Sequence, residues 1–251
     1  MQDHSVFLGN LELENQTQAE NPFFLNLADL LVGILLIFII ILFFFAINFT
    51  IAMEKNAELR RFIIERDEIR IEILDEVASR LRASGLEVEV DGTDGVLRLS
   101  DSQLFETGEF ELSDEGLQNV GKLRTALEKV LPCFAKVSQP EIIANCKTDP
   151  KFQLNAFLVE GHADLQRVIP NRKYSSNEEL STKRALAAYN QLYQSPILSQ
   201  LYNRNDQYLI SVSGYGAKRA LCSDFTAACH SKNRRIELRL LMDTPDADSF
   251  D

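Results

Sequence analysis

The chain has 251 residues and carries 37 acidic against 26 basic side chains, a formal net charge of −11. That length leaves room for one soluble domain of ordinary size beside a single membrane helix. The acidic balance argues against a nucleic-acid partner, because phosphate binding needs clustered Lys and Arg.

Residues 1–21 are polar, rich in Asn, Gln and Glu, and carry no convincing period. They read as a short tail, with Val6, Phe7 and Leu8 as a segment that could dock on a partner. Asn21 suits an N-cap and Pro22 the first helical turn. From Leu30 to Met53 there are 24 residues without a charge. At about 1.5 Å per residue they reach roughly 36 Å, enough to cross a hydrocarbon core of about 30 Å. A transmembrane helix is therefore expected over 22–53. The apolar run is too long for a signal peptide and no small-residue cleavage site follows it, so the helix is read as an uncleaved anchor.

Asp29 is the one charged residue between Pro22 and Met53. An ionised Asp deep in a bilayer costs roughly 2.5–3.5 kcal/mol on insertion scales, so it must be paired, protonated or set against water. Two readings follow. Asp29 is an interfacial residue favoured by the helix N-terminus, or it is an ion-carrying carboxylate. The apolar Phe23, Phe24, Leu25 and Leu27 draw the membrane edge back towards Pro22 and favour the second.

Residues 54–84 are dense in charge, with Leu59, Ile63, Ile69, Ile73, Val77 and Leu81 spaced mostly four apart and Gly85 as a stop. This is one apolar stripe on a linker helix. It either pairs with a second copy of the chain, the reading preferred here because no cover for it is evident in the sequence, or lies on the domain that follows. Lys55, Arg60, Arg61 and Arg66 sit just past the membrane span and no basic residue precedes it. By charge alone this would hold the C-terminal domain in the cytoplasm.

Residues 85–242 alternate between strand and helix signals. Leu86–Val90 and Val96–Leu99 alternate at period two around Asp91-Gly92 and Asp94-Gly95 turns. A helix runs from Ser113 to Leu131, where Pro132 ends it. Strands follow at 157–160, 208–212 and 235–240, with a helix at 177–193. This order makes an α+β sandwich with helices on one face of a sheet. Cys133 with Cys146 and Cys222 with Cys229 form two close pairs suited to disulfides in an oxidising compartment, although three connectivities are possible. A zinc site at Cys222, Cys229 and His230 is the rival, but its C-x6-C-H spacing fits none of the common zinc patterns. No metal and no cofactor are expected. Neither a nucleophile elbow nor a base beside one is present, so catalysis is not indicated. Residues 243–251 read as a disordered acidic tail.

Three blocks between about residues 97 and 242 resemble the OmpA-like peptidoglycan-binding domain. They are Leu104-Phe105-Glu106-Thr107-Gly108 with Leu112-Ser113-Asp114-Glu115-Gly116-Leu117, then Gly161-His162-Ala163-Asp164 with Leu180-Ser181-Thr182-Lys183-Arg184-Ala185, and Gly214-Tyr215-Gly216 with Asn233-Arg234-Arg235-Ile236-Glu237. The first is similar to the family's opening strand and first helix. The resemblance implies that Asp164 and Arg184 hold the diaminopimelate of the stem peptide, with Asn177 and Leu180 lining the same cleft. A zwitterionic amino-acid end needs an anion for its ammonium and a guanidinium fork for its carboxylate. The loop 165–176 carries extra residues, Val168 to Lys173 among them, that could reshape or cover the cleft. His162 reads as a turn or packing residue, and Arg234 or Arg235 as braces of the last strand.

A single membrane helix with an early Asp, a linker helix and an OmpA-like domain together resemble the MotB stator subunits. The acidic N-terminal tail and the absence of Trp depart from flagellar MotB, and the chain is most similar to ZorB, the MotB-like subunit of Zorya anti-phage defence. The resemblance implies an inner-membrane protein with the N-terminus in the cytoplasm and the domain in the periplasm. Long domains cross regardless of nearby charge, so this outweighs the positive-inside count. It further implies a ring of MotA-like (ZorA-like) subunits, a second copy of the chain, peptidoglycan, and H+ or Na+ carried by Asp29. The alternatives are a flagellar stator and a passive peptidoglycan tether of the envelope.

Overall fold

The computed structural model describes residues 22–138, 146, 152–169 and 173–244. The N-terminal tail, the Asn21 cap, the acidic tail from 245 onward and loop residues 170–172 lie outside the described residues. The chain divides into a unit ending at Glu58 and a unit beginning at Leu59.

Helix α1 spans Pro22–Ala83. In the first unit its described large apolar side chains, among them Leu30, Ile37, Phe44 and Phe49, are exposed. An apolar helix exposed on every side is a helix for lipid or for other membrane helices. It is long and apolar enough to cross a membrane. Asp29 is exposed on it.

The second unit is built on a five-stranded sheet of order β1-β2-β7-β4-β6, comprising β1 (Glu89–Asp91), β2 (Val96–Ser100), β4 (Leu154–His162), β6 (Ile210–Gly214) and β7 (Arg235–Met242). The pairs are antiparallel except β4 with β6, which are parallel and joined through helix α3 (Asn177–Tyr193). A small ribbon pairs β3 (Lys136–Val137) with β5 (Leu201–Tyr202). Helix α2 (Asp114–Val130) is capped by Ser113, whose Oγ accepts from the Gly116 N–H at 3.0 Å. Ser176 caps α3 in the same way through Glu179 N–H, while the Glu179 carboxylate accepts from Ser175. These caps satisfy amides that a helix start leaves without partners. Short helix α4 (Ala227–Asn233) begins at Thr226.

One face of the sheet is apolar. Leu97, Leu99, Phe157, Val159, Ile236, Leu238 and Leu240 are buried there, in one core with α2, α3 and the C-terminal end of α1. This corrects the preferred reading of the linker stripe. Ile73, Leu74, Val77, Ala78 and Leu81 are all buried in the chain's own core, and Phe62 and Ile69 pack at its edge. The cover that local sequence did not reveal is supplied by strands and helices distant in the chain. Leu59 is only partly buried and Ile63, Ile64 and Ile71 are exposed, so part of the helix keeps apolar surface for another partner. The domain therefore begins within the helix, well before residue 85.

The other face carries charge. Across the β2–β7–β4 ladder Arg98 lies opposite Glu237 and Glu237 opposite Glu160, with Arg235 and Arg239 flanking Glu237 along β7. Glu237 accepts from Arg98 Nε at 2.9 Å, Arg235 Nε at 2.7 Å and Arg239 Nη2 at 3.2 Å, while Arg239 Nε reaches Glu160 at 3.0 Å. Charges held this far from water persist only when paired and hydrogen-bonded. Against its own burial, these donors and His162 hold the Glu237 carboxyl far below the usual carboxylate range. Arg235 thus braces the last strand as expected, and His162 is a buried packing residue stacked on Tyr215.

Two expected elements are shorter than the pattern suggested. Of the 86–90 segment only Glu89 and Val90 pair in the sheet, and the strand runs on to Asp91. The stretch 104–108 is no strand: a 3-10 turn at Asp101–Gln103 leads into a single bridge, Phe105 to Leu112. Both disulfides pair near neighbours, Cys133 with Cys146 and Cys222 with Cys229.

Candidate functional site: a charged cleft where β4 meets α3

The C-terminal end of β4 and the N-terminal half of α3 meet because glycine permits it. A Cβ on Gly161 would stand 2.0 Å from the Ser181 carbonyl oxygen, and one on Gly214 would stand 2.1 Å from Thr182 Oγ1. Only bare backbone lets the helix lie this close to the strands. Ser181 then donates nothing outward: its Oγ accepts from Gly216 N–H at 2.9 Å and ties α3 to the turn after β6.

This approach brings Asp164, at the end of β4, beside Leu180 and Arg184 of α3. A cleft of about 280 Å³ lies among Asp101, Phe105, Asp164, Asn177, Leu180, Arg184 and Arg234. All four residues expected from the sequence therefore line one cavity. Asn177 fixes its rim by donating to the Asp164 and Gln166 carbonyls at 3.2 and 2.9 Å. The inserted loop contributes Gln166, Arg167, Val168 and Tyr174 to the lining. Tyr174 is held there by donating to the Gly108 carbonyl at 2.9 Å.

The charges in the cleft are mutually engaged. Arg184 is buried over the Phe105 ring, with Nη1 donating to Asp101 Oδ2 at 2.5 Å and Nε to the Glu109 carbonyl at 2.8 Å. Asp164 accepts from the Gln166 N–H at 3.0 Å and from Arg234 Nη1 at 2.8 Å. Arg234 Nε also lies 3.5 Å from Asp101 Oδ2. Burial pushes the Asp101 carboxyl up, and the Arg184 and Arg234 guanidiniums pull it back only in part.

Sequence reasoning missed Asp101 altogether and took Arg234 for a brace. Asp101 follows β2 in a 3-10 turn and lies 83 residues from Arg184. No local spacing links the two. The Asn-Arg-Arg run did carry a signal for Arg234, since adjacent strand residues face opposite ways and only one of the pair can brace the sheet.

Elsewhere among the described residues, Glu160, His162 and Glu237 bring donor atoms within 4.8 Å of one another. Three guanidiniums already hold those carboxylates, and a cation would have to displace them. This cluster does not fit a metal.

No family model matches the chain. By structure, a MotB-like protein from Desulfovibrio vulgaris superimposes with a TM-score of 0.52 at 18% identity, covering 74% of this chain and 99% of that one. The fold is MotB-like. By sequence, 84 residues are 34% identical to Motility protein B of Bacillus subtilis (strain 168). The match takes in 34% of this chain and spans only 29% of that relative's length. A weaker likeness, with a TM-score of 0.46 and 20% identity, is to the cell wall anchor of the T6SS from Pseudomonas aeruginosa, over 68% of this chain and 97% of that chain.

Proposed function

We propose that the chain is a membrane-anchored, MotB-like stator subunit that grips peptidoglycan through the Asp164–Arg184 cleft and carries an ion on Asp29. The observation that carries this reading is the cleft: a MotB-like domain gathers two carboxylates and three guanidiniums in one cavity, on the same chain as an apolar helix with one acidic residue. In this reading the domain lies in the periplasm and the N-terminus in the cytoplasm, consistent with two disulfides in the domain. Asp164 takes the ammonium of a diaminopimelate end and Arg184 its carboxylate, with Asn177 and Leu180 shaping the approach.

Two copies of the chain would place two Asp29 carboxylates inside a ring of MotA-like subunits. Each would alternate between protonated and ionised forms as H+ or Na+ passes. Crossing the membrane potential supplies about 2.3 kcal/mol per charge per 100 mV, which biases one conformational step. The peptidoglycan grip holds the axle against which the ring turns. The acidic N-terminal tail, the lack of Trp and a sequence after the Ala28-Asp29 pair that departs from flagellar MotB support anti-phage defence of the Zorya kind, rather than flagella, as the setting of this motor.

Two substitutions test the halves separately in cells that also carry the partner ring. Asp29→Asn should leave assembly and sacculus binding intact and abolish phage protection. Arg184→Ala should weaken sedimentation with purified sacculi. Full protection by Asp29→Asn together with loss in Arg184→Ala would instead identify a passive tether.

A further inference from the structure

The empty cleft holds its buried charges in balance. Asp101, Asp164 and Arg184 are each more than nine-tenths buried, and with Arg234 they form a charge-balanced chain running Arg184, Asp101, Arg234, Asp164, while the buried His230 Nδ1 lies 4.0 Å from Asp164 and the exposed Arg167 stands at the lining. The members differ in freedom. Arg184 is clamped between the Asp101 carboxylate, the Glu109 carbonyl and the Phe105 ring. The Arg234 side chain is 37% exposed and, among the described residues, only carboxylates hold its guanidinium, so of these four charges it is the one that can move without the cleft being rebuilt.

Its guanidinium sits 2.8 Å from Asp164 Oδ2, where the proposed reading puts a ligand's ammonium. We infer that Arg234 occupies the ligand's ammonium position on Asp164 in the empty cleft, and turns to the ligand's carboxylate beside Arg184 once that ammonium arrives. This rests on the peptidoglycan-binding reading and names what that site selects. A ligand end bearing both an ammonium and a carboxylate exchanges partners one for one and leaves no buried charge alone. An end bearing the ammonium only would displace Arg234 from Asp164 and leave the Asp101 carboxylate to serve both Arg184 and Arg234. A ligand carboxylate supplies the missing anion, so the cleft discriminates by the partner it would lack.

The test uses the full-length chain in detergent micelles, titrated calorimetrically with meso-diaminopimelic acid and with its diamide, which keeps both ammonium groups and lacks both carboxylates. The wild type should prefer the acid by at least about tenfold. Arg234→Gln should move the two probes in opposite directions: the acid binds more weakly because a carboxylate partner is lost, and the diamide binds more tightly because Asp164 is vacated. Arg234→Lys should restore most of the wild-type preference. Equal weakening of both probes in Arg234→Gln would mean that Arg234 is only structural, and would overturn the inference. So would a wild type that sediments with sacculi yet binds acid and diamide alike, which keeps sacculus binding but also removes Arg184 from the ligand's carboxylate. A wild type that binds neither probe nor sacculi overturns both.

Discussion

Leu81→Ala tests whether the linker helix belongs to the domain or to a dimer seam. Leu81 is fully buried, on a stripe with Ile73, Leu74, Val77 and Ala78 that enters the same core as Leu97, Leu123 and Leu238. Truncating a Leu in such a setting removes its transfer free energy and leaves a cavity, together costing about 2–5 kcal/mol. For a domain of this size each kcal/mol moves the midpoint by about 2–4 °C, so the loss should be roughly 4–20 °C. Ile64 on the same helix is 61% exposed, and Ile64→Ala should change stability by under about 0.5 kcal/mol. The assay is thermal unfolding of the full-length protein in detergent, followed by near-ultraviolet circular dichroism over a hundredfold range of protein concentration. An intramolecular core requires the Leu81→Ala deficit to be the same at every concentration. A deficit that grows on dilution, or a silent Leu81→Ala, would return the stripe to the dimer interface and refute the packing argument.

Gly161→Ala should destabilise the domain by about 1–3 kcal/mol or more, because the new Cβ meets the Ser181 carbonyl at 2.0 Å and α3 must shift; as α3 carries Asn177, Leu180 and Arg184, sacculus sedimentation should fall at temperatures where the fold persists. Acid should weaken the domain in two stages. His162 is buried and its imidazole is held below its ordinary 6.5, so the unfolded chain takes up a proton first and stability falls as pH drops below that value. Glu237 is held below its ordinary 4.5, so its contribution is present above that value and is lost as pH falls further. A pH series of unfolding midpoints checks both, and Glu237→Gln should flatten the lower limb; an unchanged slope there would count against the charged face as the cause. The double substitution Cys222→Ser and Cys229→Ser should cost about 2–3 kcal/mol from the freed loop. It should also slacken Asn233, which donates to the Cys222 carbonyl and accepts from Leu221 N–H, and with it the neighbouring Arg234. Dithiothreitol should lower the wild type further than the double substitution does, because it also opens Cys133–Cys146, and should lower the double variant by that second share alone.

Local chemistry wrote much of this protein directly into its sequence. The apolar run after Asp29 needs no partner to be recognised, because bilayer thickness sets its length. Helices α2 and α3 are bounded by Ser113, Pro132 and Ser176, whose caps and breaks act within one turn, and α3 matches its expected span from Asn177 to Tyr193. The four expected cleft residues were legible through the resemblance to the OmpA-like motifs, and the structure brings them to one cavity.

What the tertiary structure decided are the relations between segments far apart in the chain. It paired Arg184 with Asp101 across 83 positions and Arg234 with Asp164 across 70. It chose among three disulfide connectivities. It also covered a helix stripe that, taken alone, looks like half of a dimer. An apolar stripe states that something must cover it, and a buried charge that something must neutralise it; neither states which residue will. That choice belongs to the packing of α1 and α3 against the sheet, where glycine backbones set the distance and the surviving charges meet.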